Sequence, residues 1–480
     1  MQPPGGETRE AERRSRSDWI TEGSIPRALW RITLPTWGAF ITHDLLGIVD
    51  MFFVGKLGKV AVAAVAMSGI IMGIIIMLGQ GVTAGTTALV ANALGRDDEE
   101  AARESAGQSL VMAGFLSLLV IAGGVPLAGP ILRLLGASPD VVAEGIPYLR
   151  IFAISSFALM GMMSLSATLR GAGDAVTPFK AMVLGNAVNI ILDPILIFGW
   201  LGVPALGVAG SAWATLIGRS TGLVVVLYIF FVAQDGPFRL HVRDLRPHLA
   251  RVWRILRIGI FASGRMLVRN IAGLLLMRLV AGFGTAPVAA YGISMRVRML
   301  VFGPSMGFGT AAATLIGQNL GAEQPERAEK AGWIAAGIAI CISLAIMCVF
   351  WTVPARIIAI FNDDPQVVSV GVGVLRWLSA SFAFMTMAFV LGRGMTGAGD
   401  TLSPMLVQAF ALLLVGLPLA YALSHALDSV KGIWMAIFAA NVLAGLGSAA
   451  IFRWGRWKEV GAGIAERDEA PASNAAPVAE

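Results

Sequence analysis

Two carboxylates, Asp50 and Asp193, stand inside hydrophobic stretches in the first half of the chain. Asn186, Asn189 and Asp193 follow one another at i, i+3 and i+7, so they form one polar stripe along an otherwise apolar helix. Two carboxylates in a low-dielectric site can hold a cation between them, or share one proton because two close anions repel. Nearby amide and hydroxyl oxygens favour a hard ion such as Na⁺. The residues therefore predict a site for H⁺ or Na⁺, and the alternative is that neighbouring helices simply satisfy both carboxylates.

His43 and Asp44 add two ionisable groups to the stretch that carries Asp50. His43 lies seven residues before Asp50 on nearly the same helix face, whereas Asp44 is rotated by about 120°. A proton path through His43 and a hydrogen-bonded polar pair near the mouth of a cavity both fit this spacing. Asn186 is a further polar candidate for lining such a cavity.

A second ionisable set is basic and lies mainly in the second half. It comprises Arg219, Arg265, Arg269, Arg278, Arg296 and Arg298. Arg265 and Arg269 stand at i and i+4, so they share one helix face, and Arg296 is a further cavity candidate. Ion pairs between the halves, snorkelling to the membrane interface and recognition of an anion all remain open for these arginines.

The composition requires a membrane around these charges. The 480 residues are 56% hydrophobic and 14% charged, with a mean hydropathy of +0.75. Apolar runs of about twenty residues, long enough to span the hydrocarbon core as helices, recur about twelve times. They begin near residues 26, 60, 105, 143, 178, 209, 253, 288, 330, 369, 404 and 431. The sequence predicts an all-α polytopic membrane protein.

The second half of the chain repeats the first. Gly171–Asp174 recurs as Gly397–Asp400, an offset of 226 residues. With six spans in each repeat, both halves start from the same side of the membrane and form a parallel repeat. We expect an N-terminal lobe at 25–235, a linker at 236–252 and a C-terminal lobe at 253–455.

The repeat is symmetric in scaffold but not in chemistry. The same offset places Leu276 opposite Asp50 and Leu419 opposite Asp193. Because the second copy has the same scaffold with leucines at both positions, the scaffold does not require the two acids. We therefore predict that Asp50 and Asp193 serve a function that is specific to the first half.

Basic residues predict the orientation. Arginines are concentrated before the first span and in the central linker, so the positive-inside rule places both there and both termini in the cytoplasm. We expect a disordered tail at 1–24 and a second cytoplasmic tail at 456–480, with the protein in the inner membrane. The net charge of +6 is explained by this topology and needs no nucleic-acid partner.

Motifs for covalent chemistry are missing from the sequence. It contains no phosphate-binding loop, no cluster of metal ligands and no nucleophile elbow. We therefore expect neither an enzyme nor a bound cofactor. A channel or a structural membrane protein is the alternative to a transporter, and uncoupled flux would favour it.

Several motifs together resemble the multidrug and toxic compound extrusion (MATE) family of transporters, over about residues 25 to 455. They are Leu34-Pro35, the stretch Ile48–Gly55, the two Gly-Ala-Gly-Asp loops and Asn189–Pro194. Within the family, the pattern looks most like the DNA-damage-inducible branch. The resemblance implies two six-helix lobes around a central cavity, acting as a monomer that exports drugs or metabolites, usually lipophilic cations, against inward H⁺ or Na⁺.

The resemblance also implies roles for particular residues. Asp50, Asn189, Asp193 and Thr215 match the cation site of that branch, which serves either coupling ion. Pro35 matches the proline at which the first helix bends, and it lacks the backbone N–H that a helix interior needs.

One departure from the family pattern concerns the second half. Where another branch carries an additional acidic site, this chain has Arg265 and, approximately, Met385. The arginines leave export of organic anions open. A flippase for lipid-linked precursors is a further alternative, which would require Arg265, Arg269 and Arg296 to bind pyrophosphate together with Arg298.

Overall fold

The computed structural model describes residues 19–233 and 236–469, and within these ranges the structure is helical, without strands. Eleven helices are long and apolar enough to cross a membrane, and two more, bent by 44°, make a twelfth span. The predicted all-α polytopic fold is confirmed, and each span begins within six residues of its expected start. Residues 1–18 of the expected N-terminal tail lie outside the described residues, as do 470–480.

The spans, in chain order, are α1 Ile25–Gly55, α2 Lys59–Gly95, α3 Glu99–Leu134, α4 Pro139–Gly171, α5 Val176–Phe198, α6 Val208–Phe231, α7 Leu249–Ala281, α8 Thr285–Gly321, α9 Pro325–Thr352, α10 Pro365–Ala380 with Phe382–Gly397, α11 Leu402–Ala426 and α12 Lys431–Trp454. A final helix, α13, covers Arg456–Glu469. Shorter helices cover Trp200–Gly202, Val242–Leu245 and Pro354–Ala359.

The backbone carries the predicted repeat. Helices α2, α3, α4 and α5 each begin 226 residues before α8, α9, α10 and α11. The left-handed turn residues follow the same offset, because Gly58 and Gly284 have φ of 105° and 102°. Even non-glycine residues keep this unfavourable conformation in both copies, at Asp97 and Glu323.

The Gly-Ala-Gly-Asp motif is a helix-ending and helix-starting turn. Gly173 and Gly399 have φ of 87° and 84°, which favours glycine. Asp174 Oδ1 accepts hydrogen bonds from the backbone N–H groups of the first turn of α5, and Asp400 Oδ1 does the same for α11. The motif therefore serves the fold in both copies.

The chain forms two compact units. The N-terminal unit comprises Leu34–Val90 and Asp98–Gly259, and the C-terminal unit comprises the described residues up to Thr33, Ala91–Asp97 and those from Ile260 onwards. Short segments of the first half thus belong to the C-terminal unit, where Trp30 packs edge-on against Phe308 at 5.1 Å. α1 passes from one unit to the other between Thr33 and Leu34, next to Pro35.

The segment just before α1 departs from the predicted disordered tail. Residues 19–21 are helical and Ile20 is fully buried. The guanidinium of Arg327 donates hydrogen bonds to the carbonyl groups of Ile20 and Gly23. These contacts give the segment a fixed place in the C-terminal unit.

Helices α5 and α6 touch backbone to backbone. A Cβ atom added to Gly185 would lie 2.5 Å from the carbonyl oxygen of Gly218, and one added to Gly218 would lie 2.5 Å from that of Gly185. Gly210 makes the same kind of approach to Leu196. Only glycine fits at such distances, so these positions fix the spacing of the helix pair.

This packing predicts that Gly218→Ala destabilises the protein. The added methyl group has no space, and overpacking of this kind costs about 1–3 kcal/mol. The measurement is the thermal unfolding midpoint of the purified protein in detergent. Gly69→Ala is the matched control, because a Cβ there meets no atom within 4 Å. Equal midpoints for the two variants would contradict the close approach.

Candidate functional site

The polar stripe of α5 is buried, as its spacing predicts. Asn186, Asn189 and Asp193 have exposed fractions of 9%, 2% and 0%. Leu184 and Ile191, on the same helix, are 46% and 62% exposed. The stripe therefore packs against protein, and α5 turns its apolar side outward.

Helix α6 supplies hydroxyl groups opposite this stripe. Asn189 Nδ2 donates a hydrogen bond to Thr215 Oγ1 at 3.1 Å. One turn earlier, Ser211 Oγ donates to Asp50 Oδ1 at 2.5 Å. Asp50 in turn acts electrostatically on Asp193. The structure thus brings Asp50, Asn189, Asp193 and Thr215 into one acidic cluster within the N-terminal unit.

Ser211 is a member of this cluster that the sequence analysis missed. It lies at i−4 from Thr215, so both hydroxyl groups stand on one face of α6. That spacing was the available signal. Its hydrogen bond shows how α6 reaches α1 as well as α5.

Asp193 is the member of the acidic cluster whose carboxylate lacks hydrogen-bond partners. Neither of its carboxylate oxygens has a hydrogen-bond partner among the described residues, and Asn189 Oδ1 also lacks one. An ionised carboxylate buried without a partner is unfavourable by several kcal/mol. The Asp193 carboxylate can accept a proton, and all three oxygen atoms can serve as hard ligands for Na⁺.

Arg219 places a fixed positive charge beside the acids. It lies one turn beyond Thr215 on α6, where Nη1 donates to Ser155 Oγ at 3.3 Å and Cζ lies 4.9 Å from the Phe152 ring centroid. Its charge acts on Asp50, but no ion pair joins them in the described chain. Two carboxylates and one guanidinium leave the cluster with one net negative charge when all three are ionised. One monovalent cation would neutralise it.

Asn186, His43 and Asp44, the remaining polar candidates of the first half, are not part of the acidic cluster. Asn186 Nδ2 donates to the backbone carbonyl of Thr42 at 3.3 Å, which ties α5 to α1. His43 and Asp44 are exposed side chains of α1. His43 interacts electrostatically with Arg219 and with Asp44. Within the described residues, neither His43 nor Asp44 forms a hydrogen bond to the acidic cluster.

A group of arginines gathers within the C-terminal unit. We call it the arginine cluster, and it comprises Arg265, Arg269, Arg298 and Arg393, all of them partly buried. Arg298 stands at the break in α8, between Val297 and Met299. Arg296 and Arg278 are exposed, so the structure sets them apart from Arg265 and Arg269. Arg393 was missed in the sequence.

Twelve helical spans, a duplicated scaffold and buried charges within both copies define a class of protein, the polytopic membrane transporters. The chain belongs to the MatE family, because the model of that family matches it twice, at residues 35–195 and 262–422. Members of this family are transporters and not enzymes, and they act on small molecules. The two matches, one in each half, agree with the repeat.

Two bacterial relatives illustrate the family's range. The chain is 26% identical to a probable multidrug resistance protein NorM of Thermotoga maritima, over 91% of this chain and 94% of the relative. It is 27% identical to an FAD transporter of Shewanella oneidensis, over 89% of this chain and 94% of the relative. The family and these relatives place the protein in the plasma membrane as a multi-pass transporter.

A solved structure shares the fold over nearly its whole length. It is a transporter of the MOP superfamily from Pyrococcus furiosus, described as having a binding pocket of reverse polarity that suggests a different function. The sequences are 27% identical, the TM-score is 0.84, and the match covers 92% of this chain and 98% of that one.

The position of Arg219 predicts that Arg219→Gln tightens cation binding. Without the guanidinium, the cluster holds its second carboxylate charge uncompensated, so the concentration of H⁺ or Na⁺ that half-saturates the site should fall roughly tenfold. The measurement is cation-dependent thermal stabilisation of the purified protein. Arg150→Gln is the control, since Arg150 is exposed and its Nε donates to the Val125 carbonyl. Unchanged cation affinity in Arg219→Gln would contradict the assigned role.

Proposed function

We propose that the protein is a secondary antiporter that exports small organic compounds in exchange for a cation bound in the N-terminal unit. The observation that carries the proposal is Asp193, which is fully buried with both carboxylate oxygens unpartnered in the described chain. Intramembrane acids of this kind mark ion or proton sites in transporters. Asp50, Asn189 and Thr215 are the further ligands, with Ser211 holding Asp50 in place.

Coupling follows from electrostatics. When the site is empty, its net negative charge is buried and unfavourable, and binding of one H⁺ or Na⁺ removes it. A bound cation therefore stabilises a different packing of α1, α5 and α6 from the empty site. Pro35 is the position where α1 can bend with least loss of backbone hydrogen bonds. Cation binding from outside would bend α1 there and displace the exported compound.

The finer assignments belong to the same proposal. The resemblance of the acidic cluster to that of the DNA-damage-inducible branch supports membership of this branch, and the arginine distribution supports cytoplasmic termini. The protein acts as a monomer within the lipid bilayer. Multidrug relatives support a lipophilic cation as substrate.

A second candidate function is export of organic anions, and the arginine cluster favours it. The FAD transporter among the relatives and the reverse-polarity pocket of the solved structure support the same direction. A flippase for lipid-linked precursors is the further alternative, and it would use Arg265, Arg269, Arg296 and Arg298 to bind pyrophosphate. Of these four, Arg265, Arg269 and Arg298 are partly buried and Arg296 is exposed.

The acidic cluster predicts loss of coupled transport in Asp50→Asn and Asp193→Asn. Each change removes a negative charge that attracts the cation. Efflux driven by a pH or Na⁺ gradient should therefore fall to the level of liposomes without protein. The measurement is efflux of ethidium from proteoliposomes, with each gradient imposed separately, and the effective gradient identifies the ion.

Asp140→Asn is the control for this experiment, because Asp140 is an exposed carboxylate of the N-terminal unit, in the first turn of α4. It should transport normally. Gradient-driven efflux that survives in Asp193→Asn would remove the proposed mechanism.

A further inference from the structure

We propose that the arginine cluster binds an organic anion that carries at least two negative groups beside an aromatic or apolar body. The inference rests on the second candidate function, export of organic anions, and it specifies the class of anion. It assigns a binding site to the C-terminal unit, distinct from the cation site of the N-terminal unit.

The cluster is one continuous concentration of positive charge. Arg265 and Arg269 share a face of α7 at i and i+4. Arg393 and Arg269 both act on Arg265, and Arg298 acts on Arg269. Four partly buried guanidiniums repel one another, and a structure that gathers them needs a counter-charge to be favourable.

The described protein does not supply that counter-charge. No carboxylate of residues 19–233 or 236–463 lies within ion-pair distance of any of the four guanidiniums. Arg393 Nε is buried without a hydrogen-bond partner among these residues. Because a guanidinium cannot lose its charge, its donors remain directed at a ligand. Carboxylates, sulfonates and phosphates match this planar fork with two hydrogen bonds at a time.

Two aromatic rings hold the guanidiniums without using their donors. Arg265 Cζ lies 5.9 Å from the Phe389 ring centroid, and Arg269 Cζ lies 5.5 Å from that of Phe302. The two rings pack edge to face at 5.1 Å. Stacking of this kind orients an arginine through its face and leaves the N–H groups at its edge available. The same rings offer an apolar surface to the body of the ligand.

Glycines make room for this arrangement. A Cβ added to Gly392 would lie 2.7 Å from Arg265 Nη1, and one added to Gly309 would lie 3.2 Å from Arg393 Cγ and 3.1 Å from Phe389 Cε1. The arginines therefore lie in spaces left in the helix packing. This distinguishes them from Arg278 and Arg296, which are exposed.

The test uses 8-methoxypyrene-1,3,6-trisulfonate, an aromatic trianion whose fluorescence anisotropy reports binding to the purified full-length protein in neutral detergent. Arg265→Gln and Arg393→Gln should each weaken binding roughly tenfold or more, since each removes charge-assisted hydrogen bonds. Arg393→Lys keeps the charge but loses the fork, so its affinity should lie between those of wild type and Arg393→Gln. Arg278→Gln, an exposed arginine on α7, should bind as wild type does.

Two ligand sources share this chemistry, a soluble aromatic polyanion and the headgroup of an anionic lipid. Titration with phosphatidylglycerol separates them: displacement of the dye by a few mole per cent of this lipid, with phosphatidylcholine inert, identifies a lipid headgroup at the same site. If the protein keeps the dye bound in the presence of phosphatidylglycerol and exports it in proteoliposomes, the ligand is a soluble substrate.

Equal dye affinity in wild type, Arg265→Gln and Arg393→Gln, all with unchanged thermal midpoints, would overturn the proposal. Failure of the coupling mechanism is distinguishable, because Asp193→Asn should still bind the dye with wild-type affinity while losing gradient-driven export. If a glutamine variant loses both dye binding and thermal stability, Arg393→Lys decides the question. An Arg393→Lys variant that has the wild-type midpoint but binds the dye no better than Arg393→Gln would exclude recognition by charge.

Discussion

The backbone contact between α5 and α6 at Gly185 and Gly218 determines where the oxygens of the acidic cluster lie. Successive turns beyond this contact bring Asn189 to Thr215, and then Asp193 to the level of Ser211. Helices this close leave no space for side chains between them, so the polar groups of the two helices meet directly. The hydrogen bond from Ser211 to Asp50 then extends the cluster to α1. A wider helix pair would admit water and weaken every electrostatic interaction in the cluster.

In the second copy of the scaffold, other residues occupy the positions at which α5 and α6 make close contact. At the offset of 226, Ala411 and Ala444 take the places of Gly185 and Gly218, and α11 contains a π-helical stretch at Phe410–Gly416 where α5 is regular. π-helical turns are rare, and they occur frequently at functional sites. At this offset, Leu412, Val415 and Leu419 replace the three residues of the polar stripe, and the arginine cluster lies on α7, α8 and α10. Duplication thus preserved the turns and the starting points of α2 to α5, whereas the two copies differ in the sign of the charges they gather.

Patterns within single helices were predictable, and contacts between helices were not. The span positions, the repeat and the buried face of Asn186, Asn189 and Asp193 follow from hydropathy and helical period alone. Ser211 and Arg393 could not be identified in this way, because their importance arises from which neighbouring helix they meet. The same limit applies to Arg219, which the sequence groups with the other arginines but which lies beside Asp50. The surroundings of Arg219 depend on the glycine contacts between α5 and α6, and the helical periodicity of the sequence does not predict these contacts.

In the antiport cycle that we propose, Arg219 also determines how a membrane voltage would act. With this guanidinium in place, the acidic cluster is neutral when it holds one cation and carries a single negative charge when it does not, so the two half-cycles differ electrically. A potential that is negative inside the cell would leave the inward, cation-loaded step unaffected at this site and would favour outward movement of the empty cluster. The contribution is about 2.3 kcal/mol for each charge that crosses 100 mV. A monovalent cationic cargo would cancel that benefit, whereas a neutral cargo would keep it and an anionic cargo would increase it. The electrical asymmetry therefore connects the charge of the N-terminal site to the kind of compound that the transporter can concentrate outside the cell.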